Sequence, residues 1–142
     1  MAGNLQASRA QLETYATSYY YFFQALELLA QDAETQCKRL DYFNVGWEIA
    51  DDIVRGAEML TGLPGGGLTE EQKAAIVALA EAADTMPKSV ILCDNTHDSQ
   101  LRGMQHPAWD PLRLKAAALI RMLEPETLRN AEFFRQEQQT QA

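Results

Sequence analysis

From Leu12 onward the apolar residues Leu12, Tyr15, Tyr19, Phe22, Leu26, Leu29 and Ala33 are separated by gaps that alternate between three and four without a lapse. Only a helix brings positions so spaced onto one side of a chain. No Pro or Gly interrupts residues 5–40, so the pattern predicts a helix from Leu5 into the thirties. If continuous it would span about 54 Å at roughly 1.5 Å per residue. The seam is unusually aromatic. Tyr15, Tyr19 and Phe22 point into it, Phe23 and Tyr20 flank it, and Tyr21 is placed nearer solvent. Aromatics at this spacing build a core, and an aromatic ligand pocket or a partner surface is the sharper alternative. After Ala33 the next apolar positions are Cys37 and Leu40. That four-residue step predicts a bend or an end.

A second helix is expected over residues 42–60, with Phe43, Gly46, Ala50, Ile53, Ala57 and Leu60 as its seam and Trp47 and Val54 widening it. The small residues Gly46, Ala50 and Ala57 allow another helix to approach closely. Thr61 to Leu68 reads TGLPGGGL, where Pro64 and three glycines break the helical pattern. It lacks the Gly-Lys-Ser/Thr of a phosphate loop and is expected to be a flexible connector. Thr69 then caps a third helix, with Gln72 at the capping-box position and Ile76, Leu79, Ala83 and Met86 inward. Residues 88–110 are the least legible. Val90 to Leu92 suit a short buried element, the polar run from Cys93 to Gln100 a loop, and Asp98 the cap of a brief helix through Met104. Asp110-Pro111 signals a fourth helix, with Leu112, Ala116, Leu119 and Leu123 buried. Past Pro125 a last helix is expected to about Gln136, with Leu128, Ala131 and Phe134 inward.

These elements predict an all-α fold, an irregular antiparallel bundle of four to five helices built around the long N-terminal one. With 142 residues the chain suits a single domain, with about residues 1–4 and 137–142 expected to be disordered. Cys37 and Cys93 show no paired spacing and are read as reduced thiols, which favours a cytoplasmic setting. No secretory signal and no membrane span is expected.

The net charge is −8, and it is concentrated. Residues 41–86 carry nine acids against Arg55 and Lys73, whereas residues 87–142 carry seven of each sign. Nucleic acid is a disfavoured partner, because phosphate binding needs a basic stripe. A protein with a basic surface is favoured, since complementary fields speed and orient encounter. The predicted contact ridge is Glu48, Asp51, Asp52 and Glu58, extended by Glu81 and Asp84.

Two enzymatic constellations compete with that reading. Asp94, His97, Asp98 and His106 supply the imidazole and carboxylate donors that suit zinc or iron, but in no specific motif. Glu48 with Asp51, and Glu81 with Asp84, form two ExxD steps. All-helical nucleotide pyrophosphatases bind magnesium through Glu-rich helices, yet the EExxE element is absent and these acids lie opposite the apolar seams. No nucleophile motif is present, so no catalytic residue and no cofactor is assigned. The leading expectation is a small acidic, non-enzymatic protein-binding module of inhibitor, immunity or chaperone character. The alternative is a metal-binding or magnesium-dependent hydrolase-type helical domain. Surplus apolar surface on the long first helix also allows a homo-oligomer.

Overall fold

The computed structural model describes residues 7–141. They form eight helices: α1 (Arg9–Leu29), α2 (Ala33–Arg39), α3 (Val45–Gly62), α4 (Glu70–Asp84), α5 (Lys88–Ile91), α6 (His97–Met104), α7 (Trp109–Met122) and α8 (Glu124–Gln141). The all-α bundle around a long N-terminal helix is the observed architecture, and the extra helices are short ones. α1 packs on α3 and α7, α3 on α4 and α4 on α7, which closes a ring of four long helices. α8 lies against α1, and α6 joins α2 to α3.

Tyr15, Tyr19, Phe22, Leu26 and Leu29 of α1 are all buried, as their spacing requires. They meet Ile49, Ile53, Ala57 and Leu60 of α3, Ile76, Leu79 and Ala83 of α4, and Trp109, Leu112, Ala116, Leu119 and Leu123 from α7 and its C-cap. Each large apolar side chain so buried contributes about 1.5–3 kcal/mol. Gly46 is small for a reason: a Cβ there would stand 3.1 Å from the Trp109 ring.

The first helix does not run on into the thirties. α1 ends at Leu29, and Asp32 restarts the chain by accepting from the Thr35 amide at 2.8 Å. Buried Gln36 makes the break tolerable. Its Nε2 donates to the carbonyls of Leu28 (3.1 Å) and Leu29 (3.0 Å) in the last turn of α1, where Leu28 also accepts from the Gln31 amide at 3.1 Å. Twenty-one residues make α1 only about 31 Å long, so the surplus length behind an oligomer is not there.

α3 begins after a turn in which Asp41, Tyr42 and Asn44 all adopt positive φ. Phe43 therefore falls outside the helix and is exposed, and Ile49 takes a place in the seam. The N-terminus of α3 is satisfied from far along the chain. Asn95 Oδ1 accepts from the Asn44 amide at 2.9 Å, and Gln100 Oε1 accepts from the Val45 amide at 2.8 Å. Gln100 also donates to the carbonyls of Cys93 and Asp94. Those bonds give order to the stretch that is least legible in the sequence. Thr96, not Asp98, caps α6, accepting from the Ser99 amide at 3.2 Å. α4 has the predicted Thr69–Gln72 capping box. α7 starts at Trp109, which puts Pro111 within the first turn, where its missing N–H is not needed.

One expectation about the C-terminal part is corrected. Leu128 is 63% exposed, Ala131 is exposed and Phe134 only half-buried, while Glu126 and Asn130 turn inward. The reason is polar: α8 crosses the side of α1 that presents the Tyr15 and Tyr19 hydroxyls and the Ala16 carbonyl. The helix continues through Gln141, with Glu137 paired to Arg9. Ala142 and the expectation for residues 1–4 lie outside the described residues. Cys37 and Cys93 are free thiols, and no described helix is long and apolar enough to cross a membrane.

Candidate functional site

α3 and α4 run antiparallel across the connector, and a groove follows their outer seam. One end is a hollow of about 290 Å³ walled by Trp47, Asp51 and Val54 of α3, Asp84 and Met86 at the end of α4, and Ile91 and Leu92 beyond. The other end is a hollow of about 210 Å³ between Glu58 and Thr61 of α3 and Val77 and Glu81 of α4. Val54 and Asp84 line both, so the two are one trough. Its depth is lined by the small side chains of Ala50, Ala57, Ala80 and Ala83, with half-buried Val54 between Ala50 and Ala57. Three large apolar residues at its edges stay in water, Trp47 at 42%, Val77 at 41% and Leu92 at 63% exposure.

The predicted acidic ridge is divided by this geometry. Asp51 and Glu58 stand on the α3 wall and Glu81 and Asp84 on the α4 wall, with Lys88 the one lining base among the described residues. Arg55 pairs with Asp51 at 2.8 Å but reaches it from outside the trough. Asp52 lines a different groove, about 700 Å³ between α1 and α3, with Arg39, Arg55, Tyr21 and Met59. Burial, reinforced by the neighbouring carboxylates of Glu48 and Asp51, raises its pKa. Glu48 lines neither groove. A third groove, also about 700 Å³, runs between α1 and α8 past Tyr20, Tyr21, Phe23 and Phe134.

No protein family, curated protein or solved structure matches the chain.

The metal constellation does not assemble. His97 stacks on Tyr42 with ring centres 3.8 Å apart, and the nearest carboxylate oxygen of Asp98 is 3.7 Å away. His106 Nδ1 accepts from the Ala108 amide at 3.0 Å. Asp94 contributes its backbone carbonyl to Gln100. Among the described residues no three His, Cys, Asp or Glu side chains converge as metal ligands, and this includes the two ExxD steps. The Cys37 thiol is fully buried, and burial raises its pKa, which suits an inert packing residue.

One polar cluster has no counterpart in the sequence pattern. Glu126, 3% exposed, accepts from the Tyr15 hydroxyl, from the Gly67 amide at 2.7 Å and from Arg129 Nε at 2.7 Å. Burial by itself pushes such a carboxyl upward. The donors from Arg129, Tyr15 and Gly67 outweigh it and hold Glu126 below the usual value. Tyr15 is driven the other way, mainly by burial and then by the carboxylate beside it. Tyr19, which shares a hydrogen bond with Thr127, is pushed up to about 12 by burial. With its acceptor positions engaged internally, Glu126 works as a latch between α1, α8 and the connector. The only sequence signal for it is the glycine run. A Cβ at Gly66 would fall 2.3 Å from the Tyr15 ring, and one at Gly67 would fall 2.7 Å from Glu126.

Proposed function

We propose that this chain is a non-enzymatic protein-binding module that engages a partner with a basic surface through the α3–α4 trough. The observation that carries the reading is an apolar trough with exposed Trp47, Val77 and Leu92 and carboxylates on both walls. Protein interfaces pair an apolar centre with a polar rim, and tryptophan is the residue most often found at their energetic centre. Asp51, Glu58, Glu81 and Asp84 against Lys88 and the Arg55 paired to Asp51 leave the rim net negative, which accelerates encounter with a basic partner and repels acidic ones. The free thiols accord with a reducing, cytoplasmic setting. The two histidines lie outside the trough, exposed and engaged in local packing.

A photo-crosslinking residue placed at Val77, in the trough, and separately at exposed Leu114 on α7 tests the reading in cells. Discrete protein adducts are expected at Val77, absent at Leu114 and lost when Asp51 and Asp84 are changed to lysine. Adducts that are indifferent to the charge reversal, or equal at the two positions, would overturn it.

A further inference from the structure

The shape of the trough and the placement of its charges narrow the kind of partner; this step rests on the protein-binding reading above. We infer that the trough takes a single amphipathic α-helix of about four turns with lysine or arginine on both flanks of its apolar stripe.

An extended segment is the wrong occupant. The trough is walled by helices, whose backbone groups are already bonded within each helix, and no strand edge exists among the described residues. A strand laid there would lose water from its own N–H and C=O groups and find no main-chain partner. A helix brings its backbone already satisfied and needs only a groove for its apolar face. The alanines that line its depth, Ala50, Ala57, Ala80 and Ala83, let a third helix approach at the ordinary interaxial distance of about 8–10 Å. The trough follows α3 from Trp47 to Thr61. At about 1.5 Å per residue that is roughly 21 Å, or about 14 residues of a partner lying alongside.

Charge sets the rest. Asp51 and Glu58 are two turns apart on the α3 wall, and Glu81 and Asp84 are one turn apart on the α4 wall. A helix between them meets carboxylates on both sides, so a partner basic on one flank only would leave the other wall unmatched. The 290 Å³ hollow at Trp47, Met86, Ile91 and Leu92 is the place for a bulky apolar anchor near one end of the partner's stripe. An acidic partner, or one without an apolar stripe, is excluded by the same geometry.

The protein carries its own probe, because Trp47 is exposed in the trough while Trp109 is fully buried. Two peptides of identical leucine and lysine content serve as ligands. One places leucine at helical spacing and the other alternates leucine with lysine at strand spacing. The helical peptide is expected to shift Trp47 emission to the blue with one-to-one saturation. The strand-patterned peptide is expected to bind about tenfold more weakly or worse. Asp51→Lys with Asp84→Lys is expected to weaken the helical peptide by at least about tenfold, with helicity by circular dichroism unchanged. Val77→Lys gives a second variant at an exposed position with the same expected loss. Equal binding of the two peptides, or helical binding untouched by both variants, overturns the inference. The in-cell adducts at Val77 then separate the two failures. Adducts without helix preference keep the docking reading and reject the helical partner, whereas absence of both rejects the reading underneath.

Discussion

Glu126 shows how one side chain can decide where a helix lies. Its carboxylate joins Tyr15 of α1, Arg129 of its own helix and the Gly67 amide of the connector. Replacing it with glutamine keeps the volume but sets an amide NH₂ against groups that are themselves donors. Glu126→Gln should therefore cost about 1–3 kcal/mol, the range for leaving buried polar groups unmatched. Urea unfolding at neutral pH measures it. The pH dependence has a definite sign. Because the folded-state pKa lies below the ordinary 4.5, the unfolded chain holds more protons on this group in that window. Stability from Glu126 is thus complete above pH 4.5 and is lost as the pH falls through the lower, folded value. The glutamine variant should lack this part of the acid sensitivity. An unchanged acid slope in the variant would remove Glu126 from the account.

At the scale of elements, the connector between α3 and α4 separates two uses of glycine within a few residues. Gly62, at the end of α3, has nothing within 4 Å of where a Cβ would stand, while a methyl at Gly66 runs into the Tyr15 ring at 2.3 Å. Gly62→Ala should stabilise by about 0.5–1 kcal/mol through helix propensity and the unfolded chain. Gly66→Ala should destabilise by about 1–3 kcal/mol through overpacking. Thermal unfolding of the pair checks opposite signs from the same substitution. The glycine run is legible in the sequence as a break and suggests flexibility, whereas Gly66 and Gly67 serve close approach. The same division runs through the fold. The α1 seam and the Thr69–Gln72 cap are legible because they are local and periodic. The α1–α2 break, the order within residues 88–110 and the inward face of α8 depend on Gln36, Gln100 and Glu126, whose partners are remote and carry no period. Of the candidate site, the carboxylates are legible as a class. Their sorting, with Asp51, Glu58, Glu81 and Asp84 in the trough and Glu48 and Asp52 outside it, depends on how α3 turns against α4 and α1.

Over the whole molecule, the charge is out of balance with what folding alone asks for. Residues 41–86 hold a net charge of −7, nine acids less two bases, and the packing of α3 on α4 brings four of those acids around one apolar trough. In the free protein these carboxylates repel one another through water, a repulsion that Arg55 eases at Asp51 and that added salt screens. If the trough is kept acidic for a basic helix, the free protein is less stable than its own core allows. Asp84→Lys, at the junction of the two hollows, should then act in opposite directions on stability and binding. The thermal midpoint of the free protein should rise by about 2 °C, what roughly 0.5 kcal/mol does in a domain of this size. The same change should weaken the helical peptide. Salt provides the internal control: with the Debye length down to about 3 Å at 1 M, the gain in midpoint should vanish while the apolar part of peptide binding persists. A variant that loses both stability and binding would mean that Asp84 supports the fold, and the trough would lose its electrostatic argument.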